Sequence, residues 1–255
     1  MKKIILLVMI LSSFLNGFSQ TDLFQKREFI YKGDTLKYRV LFPDNYDKTR
    51  TYPIVLFLHG SGERGNDNEK QLVHGSWLFT NPQNRKDYPS IVIFPQCPEK
   101  EYWVKLDEKS NDKFSFLEKP EITKPLFLVK KLMDYFIKNE SVDKKRVYVM
   151  GLSMGGMGTF DLICRYPKYF TAAIPICGGV YEPRLKKVKK MPIRIFHGTA
   201  DNVVNVDFSR NAYYELKADG SYKAELILFP GVGHNSWDSA FTYPDFLGWL
   251  YYQEK

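Results

Sequence analysis

The stretch from Arg146 to Tyr166 limits the folds open to this chain more than any other part of it. Arg146-Val147-Tyr148-Val149-Met150 is a short apolar run rich in β-formers, and Met154 to Tyr166 reads as a helix of apolar and small residues. The two meet at Gly151-Leu152-Ser153-Met154-Gly155. A serine on such a strand-to-helix turn sits in a strained backbone conformation, and the flanking glycines avoid crowding by a Cβ. Ser153 is therefore a candidate nucleophile. By itself the glycine spacing is weak, since it arises by chance in roughly one chain in ten of this length. A serine N-cap on a glycine-rich turn is the plain alternative.

The partners decide between these readings. A neutral hydroxyl needs a base within hydrogen-bond reach, and that base needs a carboxylate to orient it. The chain has four histidines. His59 and His197 each end an apolar strand-like run and precede a glycine, and His74 falls in a polar segment, read as helical, near Trp77. His234 follows the run Ala224 to Phe229 and the turn Pro230-Gly231-Val232-Gly233, and it alone comes after both the serine and a suitable acid. Asp201, in the loop after Ile193-Arg194-Ile195-Phe196-His197, is that acid. Asp207 ranks second because it reads as the cap of a helix over Phe208 to Asp219, and Asp238 is too close to His234 in sequence. The order Ser153, Asp201, His234 is the order expected of an α/β-hydrolase, with each residue on a loop at the carboxyl end of a strand in one parallel sheet.

Donors for an oxyanion are also provided. The amide of Met154 lies at a helix N-terminus. A second amide is expected from the glycine-rich loop His59-Gly60-Ser61-Gly62-Glu63-Arg64-Gly65, with Ser61 first and Gly62 second. No metal or organic cofactor is expected, and no cysteine has metal-site spacing with a histidine.

With 255 residues, 44% of them hydrophobic, the chain suits one substantial core. Residues 20–255 read as a single α/β domain. Its mainly parallel central sheet has strands near Ile54, Ile91, Val147, Ala172, Ile193 and Leu226, with helices on both faces. An antiparallel hairpin from Glu28-Phe29-Ile30-Tyr31 through Gly33-Asp34 to Leu36–Phe42 extends the sheet at the N-terminal side. Leu126, Val129, Met133, Phe136 and Ile137 share one helical face, as do Phe246, Trp249 and Leu250.

Residues 1–19 read as a secretory signal peptide, from Lys2-Lys3, the apolar run Ile4 to Leu11, and Gly17 and Ser19 before the cut. Export to a periplasm or beyond is expected, with no membrane anchor left after cleavage. Cys97, Cys164 and Cys177 are too few for a disulfide framework. If Cys97 and Cys177 end strands three positions apart they are about 14 Å apart at about 4.8 Å per strand, so buried free thiols are expected. The net charge is +8. Its densest cluster, Lys186-Lys187 and Lys189-Lys190, reads as a solvated surface loop, with an acidic polysaccharide or membrane surface as the alternative partner. No nucleic-acid motif accompanies it.

Several further stretches match a known pattern. These are Phe57-Leu58-His59-Gly60-Ser61-Gly62-Glu63-Arg64-Gly65 with Asn66-Asp67-Asn68, Pro95-Gln96-Cys97-Pro98 with Trp103, Pro175-Ile176-Cys177-Gly178-Gly179, and Gly233-His234-Asn235-Ser236-Trp237-Asp238. From about Phe29 onward, the chain resembles the esterase and "predicted peptidase" branch of the α/β-hydrolases, related to polyhydroxybutyrate-depolymerase-like and feruloyl or acetylxylan esterases. The resemblance implies Ser153 as nucleophile, Asp201 as acid and His234 as base, acting on a small-molecule or carbohydrate-linked ester. A serine peptidase or dienelactone-type hydrolase is the neighbouring expectation, and a noncatalytic glycan- or lipid-binding protein the alternative of another class. Glu99 to Lys119 is polar with embedded aromatics and reads as a loop or small lid. Trp103 and Trp237 are candidate pocket residues.

Overall fold

The computed structural model describes residues 20–107, 109, 110 and 114–255. The leader expected over residues 1–19 lies outside the described residues. The strands follow the apolar runs: β1 (Gln25–Tyr31), β2 (Asp34–Leu41), β3 (Tyr52–Leu58), β4 (Ile91–Pro95), β5 (Val142–Leu152), β6 (Ala172–Ile176), β7 (Ile193–Gly198) and β8 (Ala224–Phe229). They form one sheet in the order β1-β2-β4-β3-β5-β6-β7-β8. β1 and β2 are antiparallel and joined at Lys32-Gly33, whose φ angles of 51° and 88° make the two-residue left-handed turn that suits strand twist. β2 is also antiparallel to β4, and the strands from β4 through β8 run parallel. This is the expected α/β-hydrolase sheet with its N-terminal hairpin.

Among the described residues the α-helices are α1 (Ser76–Thr80), α2 (Pro82–Asp87), α3 (Lys124–Asn139), α4 (Met154–Arg165), α5 (Asp207–Ala218), α6 (Ser236–Phe241) and α7 (Phe246–Tyr252). The period of two along the strands sends side chains to opposite faces. Ile54, Leu56 and Leu58 of β3 join the core under α3, α4 and α5, whereas Val55 and Phe57 join the core under α1, α6 and α7. The α3 stripe is buried at Leu126, Val129, Met133 and Phe136. Phe246, Trp249 and Leu250 of α7 are buried likewise.

Helix α4 carries Gly155, Gly156 and Gly158, which together cost about 3 kcal/mol in helix propensity relative to alanine. Packing explains them. A Cβ on Gly155 would collide with the carbonyl oxygen of Leu58 on β3, and one on Gly156 would come within 2.5 Å of the Ile176 carbonyl oxygen on β6. The helix therefore rests directly on two strand ends, which fixes where its first turn begins. Gly155→Ala leaves the polar side chains of the site intact but forces α4 off the sheet. It should cost about 3 kcal/mol, the upper end of overpacking penalties, and lower the melting temperature by about 6–12 °C, as read by circular dichroism.

Candidate active site

Ser153 links β5 to α4 with φ 52° and ψ −118°, a conformation that costs a non-glycine residue about 1–3 kcal/mol. Its own amide donates to Ile176 O on β6 (2.9 Å), and its carbonyl accepts from Met157 N (3.0 Å). The turn is thus tied to the neighbouring strand on one side and to the helix on the other. Met154 begins α4, so its amide has no acceptor within the helix.

Two loops on neighbouring strands bring the other residues to it. Thr199 N and Ala200 N, beyond β7, donate to Phe229 O at the end of β8 and to Val232 O beyond it (3.0 and 2.9 Å). A Cβ on Gly198 would collide with the Val232 carbonyl oxygen, so the backbones of the two loops approach closely there. His234 then lies with Nε2 2.9 Å from Ser153 Oγ and Nδ1 2.8 Å from Asp201 Oδ2. The Asp201 side chain is fully buried, whereas that of His234 keeps 20% exposure. Burial by itself would disfavour the carboxylate and raise the pKa of Asp201. Hydrogen bonds from His197, His234 and the amides of Val204 and Val203 outweigh it, holding the carboxyl well below the usual carboxylate range. The group is an anion at any ordinary pH, and it orients the imidazole through Nδ1–H so that Nε2 faces the serine.

His197 is a member of this network that the sequence reading left unassigned. Its Nε2 lies 3.1 Å from Asp201 Oδ2 and 2.9 Å from Val204 O, and its Nδ1 lies 2.7 Å from Ser209 Oγ. Two acceptors at Nε2 place a proton there, leaving Nδ1 to accept from the Ser209 hydroxyl. The imidazole holds the back of the acid loop closed. The sequence signal was the four-residue spacing from His197 to Asp201.

The loop after β3 is built differently. His59 Nε2 accepts from Cys97 N (2.9 Å), so its proton is on Nδ1, which donates to Gly60 O (2.6 Å). Trp103 Nε1 donates to His59 O (3.1 Å), and Arg64 Nε donates to Ser61 O (2.9 Å). Three consecutive carbonyls are therefore gripped by side chains. Because each N–H in a trans peptide points away from the preceding C=O, the amides of Gly60, Ser61 and Gly62 are oriented at the same time. Gly60 packs against Leu152, the residue before Ser153. Trp103 is thereby corrected: it is fully buried, lies edge-on to His59, and supports this loop instead of lining a pocket. Trp237 does reach the site, with its ring 5.4 Å from that of His234 and 5.2 Å from that of His74. His74 sits in a turn before α1, not in a helix, and its Nε2 is 3.6 Å from Glu63 Oε1.

Asp207 is neither part of this network nor the cap of α5. It is the first residue of α5 and pairs with Arg210 (2.8 Å), while Asn205 Oδ1 accepts from Asp207 N. Asp238 lies at 3.3 Å from Asn235 Nδ2, on the surface. The three cysteines are free and buried. Burial pushes the Cys177 thiol up to about 12. Among the described residues, Cys177, Asp201 and His234 alone could present three metal-ligand atoms together, within 4.8 Å of one another. The Cys177 thiol is protonated, and the other two groups are engaged with each other, so the set is committed to hydrogen bonds. The segment expected as a loop or lid closes on itself by an antiparallel bridge between Leu106 and Phe116.

A parallel sheet that collects a serine on a strained turn, a histidine and a buried carboxylate at one edge defines an α/β-hydrolase. The chain belongs to the phospholipase/carboxylesterase family, whose family model matches residues 46–243. It is 26% identical over 197 residues to the carboxylesterase SOBER1 of Arabidopsis thaliana, covering 71% of this chain and 83% of that protein. An endo-1,4-beta-xylanase/feruloyl esterase of Xylanibacter ruminicola is 29% identical over 212 residues, or 82% of this chain and 26% of that longer protein. The crystal structure of a thermostable esterase superimposes with a TM-score of 0.85 at 33% identity, covering 92% of this chain and 64% of that one, less than two thirds of its length. The protein is accordingly an enzyme, a serine carboxylic ester hydrolase.

The buried His59 gives the site a measurable pH signature. Burial pushes its imidazole down to about 4 from 6.5. Between those values the unfolded chain binds the proton and the folded one does not, so stability falls as the pH drops, by roughly 3 kcal/mol in all. Urea unfolding at pH 7 and pH 4 should show His59→Gln losing roughly 3 kcal/mol less than the parent over that interval.

Proposed function

We propose that Ser153 is the nucleophile, His234 the general base and Asp201 its orienting acid, in the hydrolysis of acyl esters carried on carbohydrate. The observation that carries the assignment is the unbroken chain from Ser153 Oγ through His234 to Asp201, at 2.9 and 2.8 Å, on a turn that holds the serine in place. Ser153 Oγ adds to the ester carbonyl as its proton passes to His234 Nε2. The carbonyl oxygen becomes an oxyanion, taken by the amides of Met154 and of Ser61, with Gly62 as the neighbouring donor. The C–O bond to the alcohol then breaks, and the alcohol leaves with the proton from His234. Water then adds to the acyl carbon as its proton passes to His234, the acyl–Oγ bond breaks to release the acid, and His234 returns the proton to Ser153 Oγ.

The carbohydrate part of the reading is supported by the feruloyl esterase in the name of the Xylanibacter protein, which 82% of this chain matches. It is supported too by the resemblance to feruloyl and acetylxylan esterases noted in the motifs. Esters are preferred over peptides because the matching family is that of phospholipases and carboxylesterases, and the SOBER1 relative is a carboxylesterase. Export is supported by Lys2-Lys3, the apolar run and the small residues before Gln20.

Ser153→Ala should lower kcat/KM on a chromogenic short-chain ester by about 10⁴-fold or more, and Asp201→Asn by about 10⁴-fold. Retention of most of the activity by Ser153→Ala, or failure of a fluorophosphonate probe to label Ser153 in the folded protein, would refute the assignment. A panel of acetylated and feruloylated sugars, simple esters and small peptides should show the sugar esters turned over best and the peptides least. For export, the intact mass of the protein recovered outside the cytoplasm should correspond to a chain beginning at Gln20.

A further inference from the structure

An open groove of about 460 Å³ lies beside the site, within the range of roughly 300–1,000 Å³ usual for small-molecule sites. Its lining includes Phe116, Tyr181, Glu182, Val203, Asn205 and Phe208. Each wall traces back to the catalytic loops. Gly178, just beyond β6, abuts Gly156 in the first turn of α4, one turn from Ser153, and the Phe116 ring covers the next residue, Gly179. On the opposite side, Val203 belongs to the loop whose amides hold Asp201 Oδ1. Phe208, the second residue of α5, meets Phe116 edge-to-face at 5.3 Å.

The polar groups are as informative as the aromatic ones. Glu182 is half-buried among these rings and makes no ion pair or hydrogen bond with the described residues. Asn205 uses its Oδ1 to accept from Asp207 N, which leaves its side-chain N–H groups to donate outward. The groove thus combines aromatic faces with one carboxylate acceptor and one amide donor. An acyl chain would cover Glu182 without giving its carboxylate a partner, at a cost of several kcal/mol by general transfer energetics. An acidic polymer would meet it with like charge. A sugar ring satisfies both features, because its C–H face packs on aromatic rings and its hydroxyl rim donates to the carboxylate and accepts from the amide.

We propose that this groove binds the alcohol side of the substrate, a neutral sugar chain, while the acyl group lies at Ser153. The inference rests on the carbohydrate-ester reading above and adds the place where the carbohydrate is held. Glu182 is then a specificity residue that makes no contact with the reacting atoms.

The test compares Glu182→Ala and Glu182→Gln with the parent on two substrates, an acetylated xylo-oligosaccharide and p-nitrophenyl acetate, whose alcohol part carries no sugar hydroxyl to donate to Glu182. Glu182→Ala should lower kcat/KM on the oligosaccharide about tenfold, chiefly through KM, as loss of a charge-assisted hydrogen bond requires. Activity on p-nitrophenyl acetate should stay within about twofold, since no reacting group changes. Glu182→Gln, which keeps an acceptor oxygen, should lose less on the oligosaccharide. Equal losses on both substrates, or no loss on the oligosaccharide, would overturn the groove assignment while leaving the carbohydrate reading in place. A parent enzyme that cleaves p-nitrophenyl acetate but leaves the acetylated oligosaccharide intact would instead remove the carbohydrate reading, and the groove assignment with it.

Discussion

Gly155 against the Leu58 carbonyl and Gly156 against the Ile176 carbonyl let α4 approach the sheet more closely than any side chain would allow. This contact sets the level at which the helix begins, and hence the strained turn at Ser153. The Met154 amide at the start of α4 and the loop beyond β3, packed on Leu152, take their positions from the same seat. Helix propensity is sacrificed for position, and the burial of Met157, Phe160 and Ile163 of α4 offsets the loss.

Two kinds of support surround the serine. The acid is governed by electrostatics: a buried carboxylate is unfavourable, yet two imidazoles and two amides converge on Asp201 and more than compensate. The loop after β3 is governed by geometry, with Trp103, His59 and Arg64 each fixing one peptide plane. Neither arrangement has to reorganise when charge develops on a substrate, which is the condition under which fixed dipoles are most effective.

The sheet was legible because β-branched and aromatic runs such as Ile54-Val55-Leu56-Phe57-Leu58 are buried on both faces and leave no competing period. Ser153, Asp201 and His234 were nominated from chain order, since a parallel sheet brings all its carboxyl ends to one edge. The supporting residues were harder to read. Trp103 acts by donating to a backbone carbonyl 44 residues away, and such a bond leaves no local spacing to detect. An aromatic in a polar stretch looks the same whether it lines a pocket or lies under a loop, which is how Trp103 was misplaced. At Asp207 the error was one of register, because α5 starts a residue earlier than its apolar pattern indicates and Asn205 makes the capping-type bond.

The backbone ties between the loops after β7 and β8 have a consequence for timing. Asp201 and His234 are brought together only when Ala200 N meets Val232 O, so the site cannot form until β8 has docked on β7. Ser153 lies 81 residues before its base, and a contact of that sequence separation forms late when a chain folds from local structure outward. A chain still being made therefore carries Ser153 without its hydrogen bond to His234. On the proposed mechanism, reactivity toward esters switches on only once β8 has docked.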